Sequence, residues 1–176
     1  DSGAPLVCLP PPRVCYLIGD TLRIHSRQTL RLAPNTIMRM APMSRRPMLQ
    51  NADMECGNTD IVVEGGVWDY DNKNQEPNPV RTGKLDYMAV REKGKQNGYF
   101  PDDYFGSVIR FCRVERLTLS NLTVKDPITF AIDLGFITYF TVENIRFDFN
   151  HGNPNATMMD GVHLEGGCRF GHIRNL

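Results

Sequence analysis

The segments "IRFCRVERLTLSNL" (109–122) and "IDLGFITYFTVENI" (132–145) superimpose without a gap at a separation of 23 residues. Every apolar column survives the shift: Ile109/Ile132, Phe111/Leu134, Val114/Ile137, Leu117/Phe140, Leu119/Val142 and Leu122/Ile145. Successive side chains of a strand point to opposite faces, so a conserved alternation across two copies means the same face is buried twice. Asn121 and Asn144 stand at one place in the two copies, 12 residues after the leading isoleucine.

Working outward, "VHLEGGCRFGHIRNL" (162–176) is a third copy. A gapless fit would turn His163 and Glu165 into the apolar columns, and a one-residue slip sends every side chain of a strand to the other face. Val162 and Leu164 are therefore set inward. The span to Asn175 becomes 13 residues, with the extra residue taken up at Gly166–Gly167. Cys168 then joins the column of Val114 and Ile137. An earlier, looser copy runs from Leu49 to "IVVEGG" (61–66), with Gly65 where the Asn stands. Further strand-like runs occupy 21–40 and 60–69, all short, rich in β-branched and aromatic residues and bounded by Gly, Asn, Pro or Asp.

A repeat of 20–30 residues holding several short strands and no helical periodicity is a solenoid signature. No rung can bury its apolar face alone, so each stacks on the next. The expected fold is all-β: a right-handed parallel β-helix of four to five rungs. Asn tolerates the left-handed backbone region, and stacked copies at one turn can bond from rung to rung. The Asn121, Asn144 and Asn175 column is accordingly expected to be a structural ladder. Asn121-Leu-Thr and Asn155-Ala-Thr match the glycosylation pattern. The first is expected to be buried in the ladder and the second to lie on a loop.

Residues 69–103 break the period with 13 charged residues, Pro77, Pro79, Gly83, Gly94 and Gly98. So long an insertion is commonly functional or mobile. The flanks and the insertion carry Trp68, Tyr70, Tyr87, Tyr99, Phe100, Tyr104 and Phe105 in a chain that is 9% aromatic. Two readings stand side by side: a flap whose rings stack on sugars or on another subunit, and a solvated loop pinned to the barrel by its rings.

Composition excludes several classes. Lys+Arg and Asp+Glu are equal at 20 each, against the basic excess that phosphate binding requires. No apolar stretch reaches the ~20 residues of a membrane helix. Five cysteines, Cys8, Cys15, Cys56, Cys112 and Cys168, are widely spaced without the clustering of a zinc site. They read as buried small hydrophobes, with Cys8–Cys15 the one sequence-local candidate for a bridge. The chain begins at Asp1 and stops at Leu176 inside a repeat, so it is expected to be a mature form or a portion of one β-helix domain, incomplete at its C-terminus.

The chemistry-bearing residues fall on one outward column. Arg110, Asp133 and His163 occupy equivalent positions on successive rungs, Asp160 precedes the last of these strands, and Glu165 lies two residues beyond His163. With rungs ~4.8 Å apart they form one stripe, a cation, carboxylates and an imidazole suited to acid–base work on an extended polymer. Trp68 is a candidate sugar-stacking ring beside it. A solvated polar face is the plain alternative.

At "NATMMDGVHLEGGCRFGHIRNL" (155–176) the sequence resembles glycoside hydrolase family 28, the polygalacturonases, and more broadly the pectin-lyase-like right-handed parallel β-helices. "VCLPPPRVCYLIGDTLRIHSRQTLRLAPNTIMRM" (7–40) resembles their opening rung and "DIVVEGGVWD" (60–69) the next. The resemblance implies inverting hydrolysis of a polysaccharide by aspartates on adjacent rungs, without a cofactor or metal. It implies that Asp160, followed by Gly161 and Val162, is a catalytic carboxyl; the column residues His163, Asp133, Arg110 and Glu165, with Trp68, are the candidates to meet the substrate. Met158-Met159 replace the family's Asn-Thr. Its Asp-Asp, Gly-His-Gly and Arg-x-Lys motifs would lie beyond Leu176, and Asp102-Asp103 falls too early to serve. On this reading the chain is inactive alone and the hydrolase is its full-length parent. The competing reading is a non-catalytic glycan-binding or structural β-helix, of tailspike or adhesin kind. A lyase would need a clustered carboxylate site for Ca²⁺, and none is visible. Partners follow as an oligosaccharide or polysaccharide, with neither nucleic acid nor membrane, and with self-association through an open rung edge. Family members are often exported, though no export signal is visible.

Overall fold

The computed structural model describes residues 4–77, 107–150, 153, 155–156 and 159–176. Its strands form three parallel sheets, and the chain visits them in turn. Sheet 1 holds β1 (Leu6–Leu9), β4 (Thr29–Leu32), β7 (Asn58–Glu64), β10 (Val114–Ser120), β13 (Thr138–Glu143) and β16 (Arg169–Arg174), stacked in that order. Sheet 2 holds β2 (Tyr16–Ile18), β5 (Ile37–Met40), β8 (Val67–Asp69), β11 (Thr123–Lys125) and β14 (Arg146–Asp148). Sheet 3 holds β3 (Leu22–Ile24), β6 (Leu49–Asn51), β9 (Ile109–Cys112), β12 (Ile132–Gly135) and β15 (Val162–Glu165). Each strand pairs with its counterparts one rung before and after, which makes a right-handed parallel β-helix of about five rungs.

The register is the one that the repeats require. Ile132 pairs with Ile109 and Leu134 with Phe111, while Leu117 pairs with Phe140 and Leu119 with Val142. The third copy follows the 13-residue spacing: Ile132 pairs with Val162, Asp133 with His163 and Leu134 with Leu164. Leu164 itself stays 45% exposed on the outermost strand of sheet 3. The looser copy also holds, since Leu49 pairs with Ile109 and Glu64 with Ser120, which sets Gly65 level with Asn121. Inward residues from all three sheets meet in one core that includes Ile61, Val63, Ile109, Phe111, Leu117, Val124, Leu134 and Val142.

The corner from sheet 1 to sheet 2 explains the asparagines. Asn121, Asn144 and Asn175 all have left-handed backbone, with φ of 59°, 55° and 57°. Asn175 Nδ2 donates to Asn144 Oδ1 at 2.6 Å, and Asn144 Nδ2 donates to Asn121 Oδ1 at 3.1 Å. The chain of amides ends where Asn121 Nδ2 donates to Glu64 Oε1 at 3.5 Å. Contrary to expectation Asn121 is exposed, because the ladder runs along the outside of the corner; its amide is nevertheless engaged on both sides. Asn155 likewise has its amide occupied, donating to the carbonyls of Asn72 and Gln75.

Gly65 takes the ladder position one rung earlier at φ +81°, and a Cβ there would lie 2.1 Å from the Leu32 carbonyl oxygen. Gly65→Ala combines a left-handed penalty with a backbone clash between rungs, so it is expected to cost about 2–4 kcal/mol. Chemical denaturation measures it. A loss below ~0.5 kcal/mol would show that the rungs separate without strain.

On the outer face of sheet 1, Arg116 holds Asp60 with both guanidinium branches, Nε–Oδ1 at 2.5 Å and Nη2–Oδ2 at 3.0 Å. Those hydrogen bonds draw the Asp60 carboxyl down to about 2. A depressed carboxylate contributes stability that is fully present above its unfolded value and is lost as the pH falls through its folded one. The stability this ion pair contributes is therefore expected to be lost between roughly pH 4 and pH 2. Carboxyl ¹³C shifts should report an Asp60 midpoint near 2, returning to the ordinary range in Arg116→Ala.

The cysteines depart in part from the sequence reading. All five are free, so no Cys8–Cys15 bridge exists, and Cys8 and Cys56 are exposed. Cys8 lies on β1, the outermost strand of sheet 1, and Cys56 on the loop before β7. Cys112 is buried, and burial pushes its thiol up to about 11. Cys168 takes its expected column beside Ile137, whose backbone N–H approaches its Sγ at 3.5 Å.

Candidate functional site

The outward column of sheet 3 brings the sequence-selected residues into register: Arg110 pairs with Asp133, and Asp133 with His163. It extends further than expected, to Gln50 beside Arg110 and Arg23 beside Gln50. One column thus reads Arg23, Gln50, Arg110, Asp133 and His163.

The middle of the column is not surface. Arg110 is 5% exposed and Asp133 3%, which corrects the expectation that both lie open on a substrate-facing stripe. Arg110 Nε stands 3.6 Å from Asp133 Oδ2, and Ser107 Oγ donates to the same oxygen at 3.5 Å. Opposite charges one rung apart can go into the interior together, where either alone would meet a heavy desolvation cost. The two charges face each other in a covered part of the column.

The last rung is open and carries the titratable cluster. His163 Nδ1 lies 3.3 Å from Asp160 Oδ2, and His163 Nε2 lies 3.5 Å from Glu165 Oε1. A neutral imidazole has a single N–H, so both contacts become hydrogen bonds only when the ring is imidazolium. Side-chain exposure falls from 54% at Asp160 to 32% at His163 and 29% at Glu165. Asp160 is thus the carboxylate most accessible to a ligand.

A neighbour that sequence reasoning missed packs on this cluster. Phe130 stacks on His163 with centroids 3.9 Å apart and planes 5° from parallel. The Ala131 N–H donates to the Asp160 carbonyl at 2.9 Å, which sets Phe130 one rung before Asp160. The 30-residue offset that relates Asp133 to His163 also relates Phe130 to Asp160, so this signal was present in the sequence. Gly161 has a different cause. A Cβ there would come within 2.9 Å of the Phe147 ring, so the Asp-Gly step reflects a ring packed against the backbone next to the carboxylate.

Trp68 is corrected as well. It is fully buried, in the interior column of sheet 2 between Met38 and Val124. Its indole N–H donates to the Gly65 carbonyl at 3.3 Å, and no ring face reaches a ligand. Tyr70 is also buried, and its hydroxyl donates to the Arg46 carbonyl at 2.8 Å. Of the expected insertion over 69–103 the structure describes 69–77. Tyr87, Tyr99, Phe100, Tyr104 and Phe105, and the pair Asp102-Asp103, lie outside the described residues, as do Thr157 and Met158.

Comparison with protein-family models, with curated proteins and with solved structures found no match to this chain.

Proposed function

We propose that this chain is a polysaccharide-acting β-helix of glycoside-hydrolase kind, with Asp160 one of the carboxyl groups of an inverting hydrolysis in the full-length parent. The observation that supports the reading is the half-exposed Asp160 carboxylate at the head of β15, held 3.3 Å from the His163 ring. It sits on a rigid parallel sheet whose ~4.8 Å rung spacing suits an extended polymer. Inversion places a water between two carboxyl groups roughly 6.5–9.5 Å apart. Asp160 would take one role, and the family resemblance assigns its partners to the following rung.

A second reading, a glycan-binding module without catalysis, is favoured by one observation. The other carboxylate on the described cluster, Glu165, faces Asp160 across the His163 imidazole. The ring fills the gap that an attacking water would need, so these two carboxylates alone are a binding arrangement. The test is incubation with a panel of polysaccharides, followed by reducing-end release and proton NMR of the first product. Newly released ends of inverted anomeric configuration are expected from the parent. Retained glycan binding with no release of ends would establish the second reading instead.

A further inference from the structure

We propose that the glycan taken by sheet 3 is uncharged and that a polyuronate is disfavoured, an inference that rests on the glycan-acting reading above. The accessible end of the column carries two carboxylates, Asp160 and Glu165, around a single imidazole. With the ring charged the cluster has a net charge of about −1, and with the ring neutral about −2. In either state it is anionic.

Among the described residues, the cations of this column and its flanking corner lie elsewhere. Arg110 is buried and faces the Asp133 carboxylate at 3.6 Å, so its field at the surface is largely cancelled one rung away. Arg113, at the corner after β9, is turned onto the Phe136 ring at 5.1 Å and toward the Met54 carbonyl. Arg23 is exposed, but it stands four rungs from His163 in the same column. At ~4.8 Å per rung that is ~19 Å, more than two Debye lengths at physiological salt.

A uronate chain carries a carboxylate on every sugar, so any register that lays a residue against Asp160 opposes like charges. A neutral sugar meets no such repulsion. Its hydroxyls can donate to the acceptor oxygens of Asp160 and Glu165, while the Phe130–His163 stack walls the site with flat apolar surface. Buried, matched charge in mid-column and surplus carboxylate at its open end therefore select against acidic glycans.

The test compares binding of the full chain to polygalacturonate and to neutral glucan, galactan and xylan, by affinity electrophoresis and calorimetry at low and high salt. At least one neutral polymer is expected to bind with nearly salt-independent affinity. Polygalacturonate is expected to be about tenfold weaker, the gap narrowing as salt screens the repulsion. Glu165→Gln should raise the polygalacturonate-to-neutral affinity ratio about fivefold at low salt. A preference for polygalacturonate over every neutral polymer would overturn this inference and leave the glycan reading intact. Absence of binding to both classes would sink the glycan reading, and this inference with it.

Discussion

Trp68→Ala is expected to lower the stability of the protein by about 3–5 kcal/mol, the cost of emptying a large, fully packed aromatic site. Trp68 heads the fully buried side chains by volume. It sits between the Met38 and Val124 levels of sheet 2, so its removal opens a void shared by three rungs. The void cannot close locally, because each flanking strand is held in register by parallel partners on both sides. Its indole N–H also caps the Gly65 carbonyl at the tight corner, and loss of that bond leaves a buried acceptor unpaired. Urea unfolding of the two proteins measures the difference. A variant within ~1 kcal/mol of the wild type that had lost glycan affinity would return Trp68 to the role of a sugar platform.

If the proposed hydrolase reading holds, Asp160→Asn is expected to lower the rate of glycan hydrolysis roughly 10²–10⁴-fold, the usual contribution of a positioned general acid or base. Its effect on stability should be small. The side chain is 54% exposed, and asparagine can keep a hydrogen bond to His163. An exposed polar contact of this kind contributes at most about 1 kcal/mol. Glycan affinity measured in parallel should remain within a fewfold, since the amide preserves shape and an acceptor oxygen. Undiminished turnover in the variant would remove Asp160 from the reaction. Equal loss of binding and turnover would make it a contact for the ground-state sugar, not a group that acts in the transition state.

The two variants separate what residue alternation can and cannot say. The core was legible because the copies at 109–122 and 132–145 repeat both a period of two and a common Asn. Period two assigns faces, and a matched Asn marks the corner where the backbone turns left-handed. The 13-residue third span was legible for the same reason, since any other choice would put His163 and Glu165 into the core. Trp68 was missed although the signal existed. "GVWD" aligns with "LTVK" and "IRFD", which places Trp68 in the inward column of Val124 and Phe147. Proximity to a long aromatic insertion outweighed its own register.

The candidate site was legible as an address and not as an environment. Sequence placed Arg110, Asp133 and His163 in one column, and the register agrees. It gave no sign that Arg110 and Asp133 are covered and joined. The 30-residue offset set Phe130 beside the Asp160 rung, but it did not show the ring lying flat on His163 at 3.9 Å. Taken alone, the sequence determined the rungs, the inward faces, the Asn ladder and the residues sharing each outward column, because all of these follow from spacing along the chain. Only the tertiary structure decided which members of a column remain open to solvent and which charges cancel. Burial and pairing depend on what lies across the outer face of a sheet, and residues distant in sequence supply that without a period to announce them.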